Sequence, residues 1–193
     1  MTSPIGALLL TPGAGSNRNH ASLVAIEVAL AGADPPVPVS RVDFPYRKAG
    51  RKAPDRAPIL IASVVQDAAA LATSSGVAPT RIALGGRSMG GRMCTMAVAD
   101  GLPAAALVLI SYPLHPPGKP EQLRTAHLPQ LRVPCLFIHG TKDPFGTPDE
   151  LTAATATIPG PVTHLWIEGG RHDLKGADAR LAATIVEWFT TLG

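Results

Sequence analysis

Three residues that could together run acyl-transfer chemistry each stand beside a sharp turn. Ser88 is the centre of Gly86-Arg87-Ser88-Met89-Gly90, directly after the short run Ile82-Ala83-Leu84-Gly85. A serine between two glycines at a strand-to-helix turn presents its hydroxyl, and the missing Cβ atoms let strand and helix close on each other. A serine hydroxyl is a poor nucleophile at neutral pH and needs a base to take its proton. That base needs a carboxylate to fix its tautomer and stabilise the imidazolium. The segment Leu136-Phe137-Ile138-His139-Gly140-Thr141-Lys142-Asp143-Pro144 offers a strand, a turn and Asp143. The segment Leu165-Trp166-Ile167-Glu168-Gly169-Gly170-Arg171-His172 offers a strand, two glycines and His172. Serine, acid and histidine thus follow in the order expected when each sits in a loop after a later parallel strand. Ser88 is expected to be the nucleophile, Asp143 the acid and His172 the base, acting on an ester or thioester.

The oxyanion formed on the attacked carbonyl needs two preorganised donors. One is the Met89 N–H, next to the nucleophile. The other is expected from the compact loop Pro12-Gly13-Ala14-Gly15, as the Ala14 N–H. Rival carboxylates are Asp149, which follows Pro148 at a helix start where capping is its expected job, and Asp173, which adjoins His172 and could cap the last helix or hold its loop. Arg87, Tyr46 and His115 are candidates for touching substrate. Arg87 and Arg92 also suit tying loops together. The basic loop Tyr46 to Lys52 is either a solvated loop or a rim that recruits an anionic substrate. His139 is expected to hydrogen-bond within the acid turn. His20, His127 and His164 show no partner pattern.

Short aliphatic runs alternate with helical patterns along the chain. Strands are expected at Ala7–Thr11, Val37–Phe44, Arg81–Gly85, Ala105–Ile110, Val133–His139 and Val162–Ile167. Helices are expected at His20–Ala31, Pro58–Ser74, Met89–Asp100, Pro148–Thr157 and Ala177–Thr190. Strands apolar on both faces suit a parallel sheet covered on both sides. The expected architecture is therefore one domain over residues 1–193, a three-layer α/β/α sandwich of about six parallel strands. Between Ile110 and Val133 there are too few residues for a full lid, so the site should be open and shallow.

The 193 residues are 46% hydrophobic and 16% charged, a globular composition with a net charge of +3. There is no arginine-rich helix, zinc spacing or aromatic-basic platform, so no nucleic-acid partner is expected. The glycine loop after the first strand has neither a G-x-G-x-x-G pattern nor a P-loop lysine, which argues against phosphate cradling. Cys94 and Cys135 lie in apolar segments without CxxC spacing and are expected to be buried free thiols, with no metal. The apolar run Ile5 to Leu10 is too short for a signal peptide or a membrane span, so a cytoplasmic protein without membrane contact is expected. No cofactor is expected, and the oligomeric state stays open.

The chain resembles the α/β-hydrolase superfamily, and within it the small dienelactone-hydrolase-like branch. The narrower similarity is to the group holding a testis-expressed hydrolase-like protein and the hydrolase-like domain of a histone-acetyltransferase complex subunit. Phe44-Pro45-Tyr46, Gly85 to Arg92, Tyr112-Pro113-Leu114-His115-Pro116-Pro117-Gly118-Lys119-Pro120 and Gly140 to Gly146 carry it. The resemblance implies a minimal lidless α/β-hydrolase fold with Ser88, Asp143 and His172 in the catalytic positions. Pro12 stands where many relatives carry histidine, and serine stands where dienelactone hydrolases use cysteine, so that lactone is not carried over as substrate. An acyltransferase with the same residues, or a scaffold protein keeping the fold, are the competing expectations.

Overall fold

The aliphatic runs do form strands, and their alternating side chains divide between two cores. A computed structural model describes residues 5–192. Its elements in order are β1 (Ala7–Thr11), α1 (Ala21–Ala31), β2 (Val39–Arg41), α2 (Pro45–Lys48), α3 (Ala57–Ser75), β3 (Ile82–Arg87), α4 (Met89–Ala99), β4 (Ala106–Ile110), β5 (Cys135–Gly140), α5 (Pro148–Thr155), β6 (Val162–Ile167) and α6 (Asp178–Thr191). The six strands pair in the order β2-β1-β3-β4-β5-β6, and all pairings are parallel. Leu8 and Leu10 of β1, Val108 of β4 and Ile138 of β5 pack with Leu23 and Ile26 of α1 and Leu181 and Ile185 of α6. Leu9, Leu84, Leu109 and Phe137 point the other way, onto Val64 of α3, Met93 of α4 and Leu151 of α5. Period-two alternation in strands buried on both faces thus makes the three layers.

The register brings the strand ends to one edge. Thr11 lies opposite Gly86, Arg87 opposite Ile110, Ile110 opposite Ile138 and Gly140 opposite Ile167. Between β1 and β3 the chain order reverses, since β2 lies on one side of β1 and β3 on the other. The loops leaving these two strands diverge and leave a crevice at the carboxyl edge. Segment 111–134 folds back with a 3₁₀ turn at Leu128–Gln130 and contains no α-helix.

Two elements differ from expectation. β2 is only three residues long because Pro38 has no N–H to enter the ladder and contributes only its carbonyl, to the Leu8 N–H at 2.9 Å. At its other end, Pro45 starts α2, where its fixed φ favours a first helical position. Among the described residues α3 is the one helix long and apolar enough to cross a membrane by length and composition. Its Leu60, Val64, Ala68 and Leu71 are buried in the core.

Gly90 is where the helix behind the serine comes nearest the first strand. A Cβ there would lie 2.5 Å from both the Pro12 carbonyl oxygen and Thr11 Oγ1. Gly90→Ala is expected to lower the unfolding free energy by about 2–3 kcal/mol. Urea denaturation checks this; an unchanged midpoint would contradict so close a contact.

Candidate active site

Ser88 sits between β3 and α4 with φ 47° and ψ −117°, a conformation that costs a non-glycine residue about 1–3 kcal/mol. Packing on both sides fixes it. The Ser88 N–H donates to the Ile110 carbonyl at 2.8 Å, its carbonyl accepts from the Arg92 N–H at 3.1 Å, and a Cβ on Gly86 would clash with Thr11. The serine is held at the tip of the turn.

The loops after β5 and β6 bring the other two residues in. The Thr141 N–H donates to the Ile167 carbonyl at 3.0 Å and the Lys142 N–H to the Gly170 carbonyl at 2.8 Å, so the two loops are tied together. His172 Nδ1 lies 2.8 Å from Asp143 Oδ2 and 3.0 Å from Oδ1. Its Nε2 lies 2.9 Å from Ser88 Oγ. A carboxylate only accepts, so the imidazole proton sits on Nδ1 and the Nε2 lone pair faces the serine hydroxyl. Asp143 is 4% exposed, and its Oδ1 also accepts from the Phe145 N–H at 2.9 Å. The Phe145 ring stacks on His172 with centroids 4.1 Å apart. Serine, histidine and aspartate therefore form one continuous hydrogen-bonded chain.

His139 backs the acid. Its Nε2 donates to the Gly146 carbonyl at 2.9 Å and lies 3.6 Å from Asp143 Oδ2. Burial pulls this imidazole below its ordinary value, against the opposing pull of Asp143. It holds the turn, as its place in the sequence suggested.

The first-strand loop borders the serine: a Cβ on Gly13 would lie 3.6 Å from Ser88 Cβ. The Ala14 carbonyl accepts from the Tyr46 hydroxyl at 2.7 Å. Met89 begins α4, where the first N–H groups have no intrahelical acceptor. Neither the Met89 nor the Ala14 N–H has a described backbone acceptor.

A cleft of ≈ 380 Å³ opens here, lined by the Gly13–Ser16 loop, His20, Arg87, Ser88, Phe145, His172 and Asp173. Of the three candidates for touching substrate, only Arg87 lines it. Arg87 donates through Nη2 to the His172 carbonyl at 2.9 Å and is 5% exposed. Burial lowers its affinity for its proton, opposed by Asp178, Asp173 and Asp143. Tyr46 is fully buried beneath the Ala14 loop, so the structure places it behind that loop and not in the cleft. His115 is buried too, its Nδ1 donating to the Pro116 carbonyl at 2.8 Å and its N–H to the Phe145 carbonyl at 3.1 Å. Two cations of the basic loop meet acids, Arg51 on Asp55 at 2.7 Å and Lys48 3.7 Å from Asp67 of α3. It forms no rim on this cleft.

Asp149 lies in the first turn of α5, where Thr147 and Glu150 form a capping box. Asp173 is exposed, its Oδ1 accepting from the Lys175 N–H at 3.4 Å. Neither rival carboxylate has a described hydrogen bond or ion pair with the His172 side chain. Sequence reasoning missed Phe145 and His20. Phe145 is only two residues beyond Asp143, and the tightness of that turn is the signal that places it against the base. His20 caps α1, its Nδ1 accepting from the Ser22 N–H at 3.3 Å, a partner only two residues on. Cys94 and Cys135 are free and buried; burial pushes each thiol up to about 12. Among the described residues no cluster of histidine, cysteine or carboxylate could hold a metal.

A family model described as alpha/beta hydrolase domain matches residues 4–184. Est1E from Butyrivibrio proteoclasticus superposes with a TM-score of 0.78 at 13% identity, over 99% of this chain and 89% of that one. A dienelactone hydrolase from Anabaena variabilis gives 0.76 at 20% identity, over 97% and 86%. The esterase domain of a Rhodothermus marinus protein gives 0.72 at 15% identity, over 100% and 90%. At such identities the likeness is one of fold.

The short bond from His172 Nδ1–H to the buried Asp143 is expected to give a strongly downfield proton resonance. That resonance should persist in Ser88→Ala and vanish in Asp143→Ala and His172→Ala. Proton NMR in water checks it; a signal surviving Asp143→Ala would assign it elsewhere.

Proposed function

The chain belongs to the alpha/beta hydrolase domain family, and from that premise we propose that it is a serine hydrolase cleaving a small carboxylic ester or thioester. The observation that carries this is the hydrogen-bonded chain from Ser88 Oγ through His172 to Asp143, at 2.9 and 2.8 Å. His172 Nε2 takes the Ser88 proton as Oγ attacks the acyl carbon. The negative oxygen then faces the N–H groups of Met89 and Ala14. His172 returns the proton to the departing alcohol or thiol as the C–O or C–S bond breaks, leaving an acyl-serine. Water attacks that ester, its proton passing through His172 to Ser88, and the carboxylic acid departs. Asp143 stays ionised and stabilises the imidazolium in both halves. None of these steps uses a cofactor.

The motifs Phe44-Pro45-Tyr46, Gly85 to Arg92, Tyr112 to Pro120 and Gly140 to Gly146 support placing the chain in the dienelactone-hydrolase-like branch, near the testis-expressed group, with serine in place of that branch's cysteine. The similarity in fold to an esterase domain and to Est1E is consistent with ester cleavage. Segment 111–134 carries no helical cap, which suits short or flexible acyl groups better than a buried lipid chain. A small acyl molecule is the proposed partner and the cytoplasm the proposed location.

Turnover of p-nitrophenyl esters of increasing chain length tests the proposal. Wild type should hydrolyse the short members. Ser88→Ala should lower kcat by on the order of 10⁴-fold or more while leaving the unfolding midpoint near that of wild type. Absence of turnover across the series, or comparable turnover in Ser88→Ala, would overturn it.

A further inference from the structure

Several cations on this protein find an acid: Arg41 meets Glu27 at 2.8 Å, Arg51 meets Asp55 and Lys48 meets Asp67. Two half-buried arginines beside the serine helix do not. Arg92 lies one turn into α4, its N–H on the Ser88 carbonyl. Its Nε is buried without a hydrogen-bond partner, and no described ion pair includes Arg92 or Arg124. Arg124 approaches from segment 111–127, anchored by its N–H on the Leu114 carbonyl at 2.8 Å and by its carbonyl accepting from the Tyr112 hydroxyl at 3.0 Å. Burial first, and the Arg92 charge second, pull the Arg124 guanidinium below its ordinary value.

The side chains between them supply no counter-charge. His127 Nε2 lies 2.8 Å from Thr95 Oγ1 and 3.3 Å from the Tyr112 hydroxyl. Burial, then Arg92, push this imidazole down to about 4 although Asp100 opposes them, so it is neutral at pH 7. Burial pushes the Tyr112 phenol up to about 12, so it is neutral as well. Asp100 is felt at His127 but forms no described ion pair with either arginine. Two guanidinium groups within electrostatic reach of one another, one with a buried N–H unsatisfied, repel and are poorly solvated. An oxyanion relieves both conditions, because the planar fork of an arginine matches the oxygens of carboxylate and phosphate.

Backbone contacts link this cluster to the reaction site at both ends, although neither arginine lines the ≈ 380 Å³ cleft itself. Arg92 is one helical turn from Ser88. Segment 111–127 touches the acid turn, with His115 on the Phe145 carbonyl and Leu114 Cβ 3.0 Å from where a Gly146 Cβ would stand. We propose that Arg92 and Arg124 form an anion-binding site that holds a carboxylate or phosphate of the molecule cleaved at Ser88, an inference that rests on the Ser88 reading for its substrate and on the unpaired arginines for its location.

Two measurements test it. Calorimetric titration of the wild-type protein with glutarate and with inorganic phosphate should show saturable binding of at least one. Binding should weaken about tenfold or more in Arg92→Gln and in Arg124→Gln, and partly recover in Arg92→Lys. Arg124 sits on a loop, so its variant keeps the test valid if Arg92→Gln does not fold. The ratio of kcat/KM is then compared within two pairs: p-nitrophenyl hemiglutarate against p-nitrophenyl butyrate, and an acetyl thioester of a phosphate-bearing thiol against that of a neutral thiol. Wild type should favour the charged member of one pair by about tenfold or more, and both arginine variants should lose that ratio. The pair that responds tells whether the anion sits on the acyl or the leaving group. No saturable binding, binding indifferent to both arginines, or a wild type that turns over neutral esters with no charge preference overturns the anion site while the Ser88 reading stands. Arginine-dependent binding in a protein that cleaves none of the four compounds overturns the Ser88 reading and, with it, the assignment of the anion to a substrate.

Discussion

The close approach of three backbones around Ser88 is the constraint on which the rest depends. Thr11 and Pro12 leave β1, Gly86 and Arg87 end β3, and Gly90 opens α4, all within a space that admits no Cβ at either glycine. Thr11 fastens this junction by donating from Oγ1 to the Gly85 carbonyl at 2.9 Å. Because the junction is buried and hydrogen-bonded, it can hold a serine at φ 47°. The strain is a local cost that the surrounding sheet offsets. Relaxing the turn would swing Oγ away from His172 Nε2, which lies 2.9 Å from it.

The same economy of backbone governs the acid and the base. Gly140 has no room for a Cβ because the Gly170 carbonyl lies over it, so the loops after β5 and β6 run against each other. That contact brings Asp143 and His172 within 2.8 Å, although 29 residues separate them. Arg87 then links the serine strand to the histidine loop through the His172 carbonyl. It stands next to the serine yet holds the loop that carries His172. The Ser88–His172–Asp143 geometry is thus fixed from the sheet edge outward, with side chains in cores on both faces keeping the strands in register.

Much of this was legible in the residues themselves. Aliphatic runs between turns gave away the strands, and the order Ser88, Asp143, His172 placed each at a strand end. What could not be read were contacts made by chain segments far apart. Tyr46 looked like a residue for the cleft, yet it lies under the Ala14 loop, because the short helix begun by Pro45 turns its ring inward. His127 showed no pattern since its partners, Thr95 and Tyr112, come from α4 and from the loop after β4. His164 likewise meets Thr155 at 3.0 Å and stacks on Trp166. The basic residues 47–52 suggested a charged rim, but Asp55 and Asp67 draw two of them aside. Periodicity reports which face is buried; it does not report which distant side chain waits there.

The central claim is that Ser88 is made nucleophilic by His172 and Asp143. A fluorophosphonate reacts with a serine so activated and leaves a stable covalent adduct, which peptide mass spectrometry can assign to one residue. A single adduct on Ser88 is expected in wild type and none on that peptide in His172→Ala under the same exposure. An unmodified wild-type protein, or labelling of Ser88 that persists without His172, would contradict it.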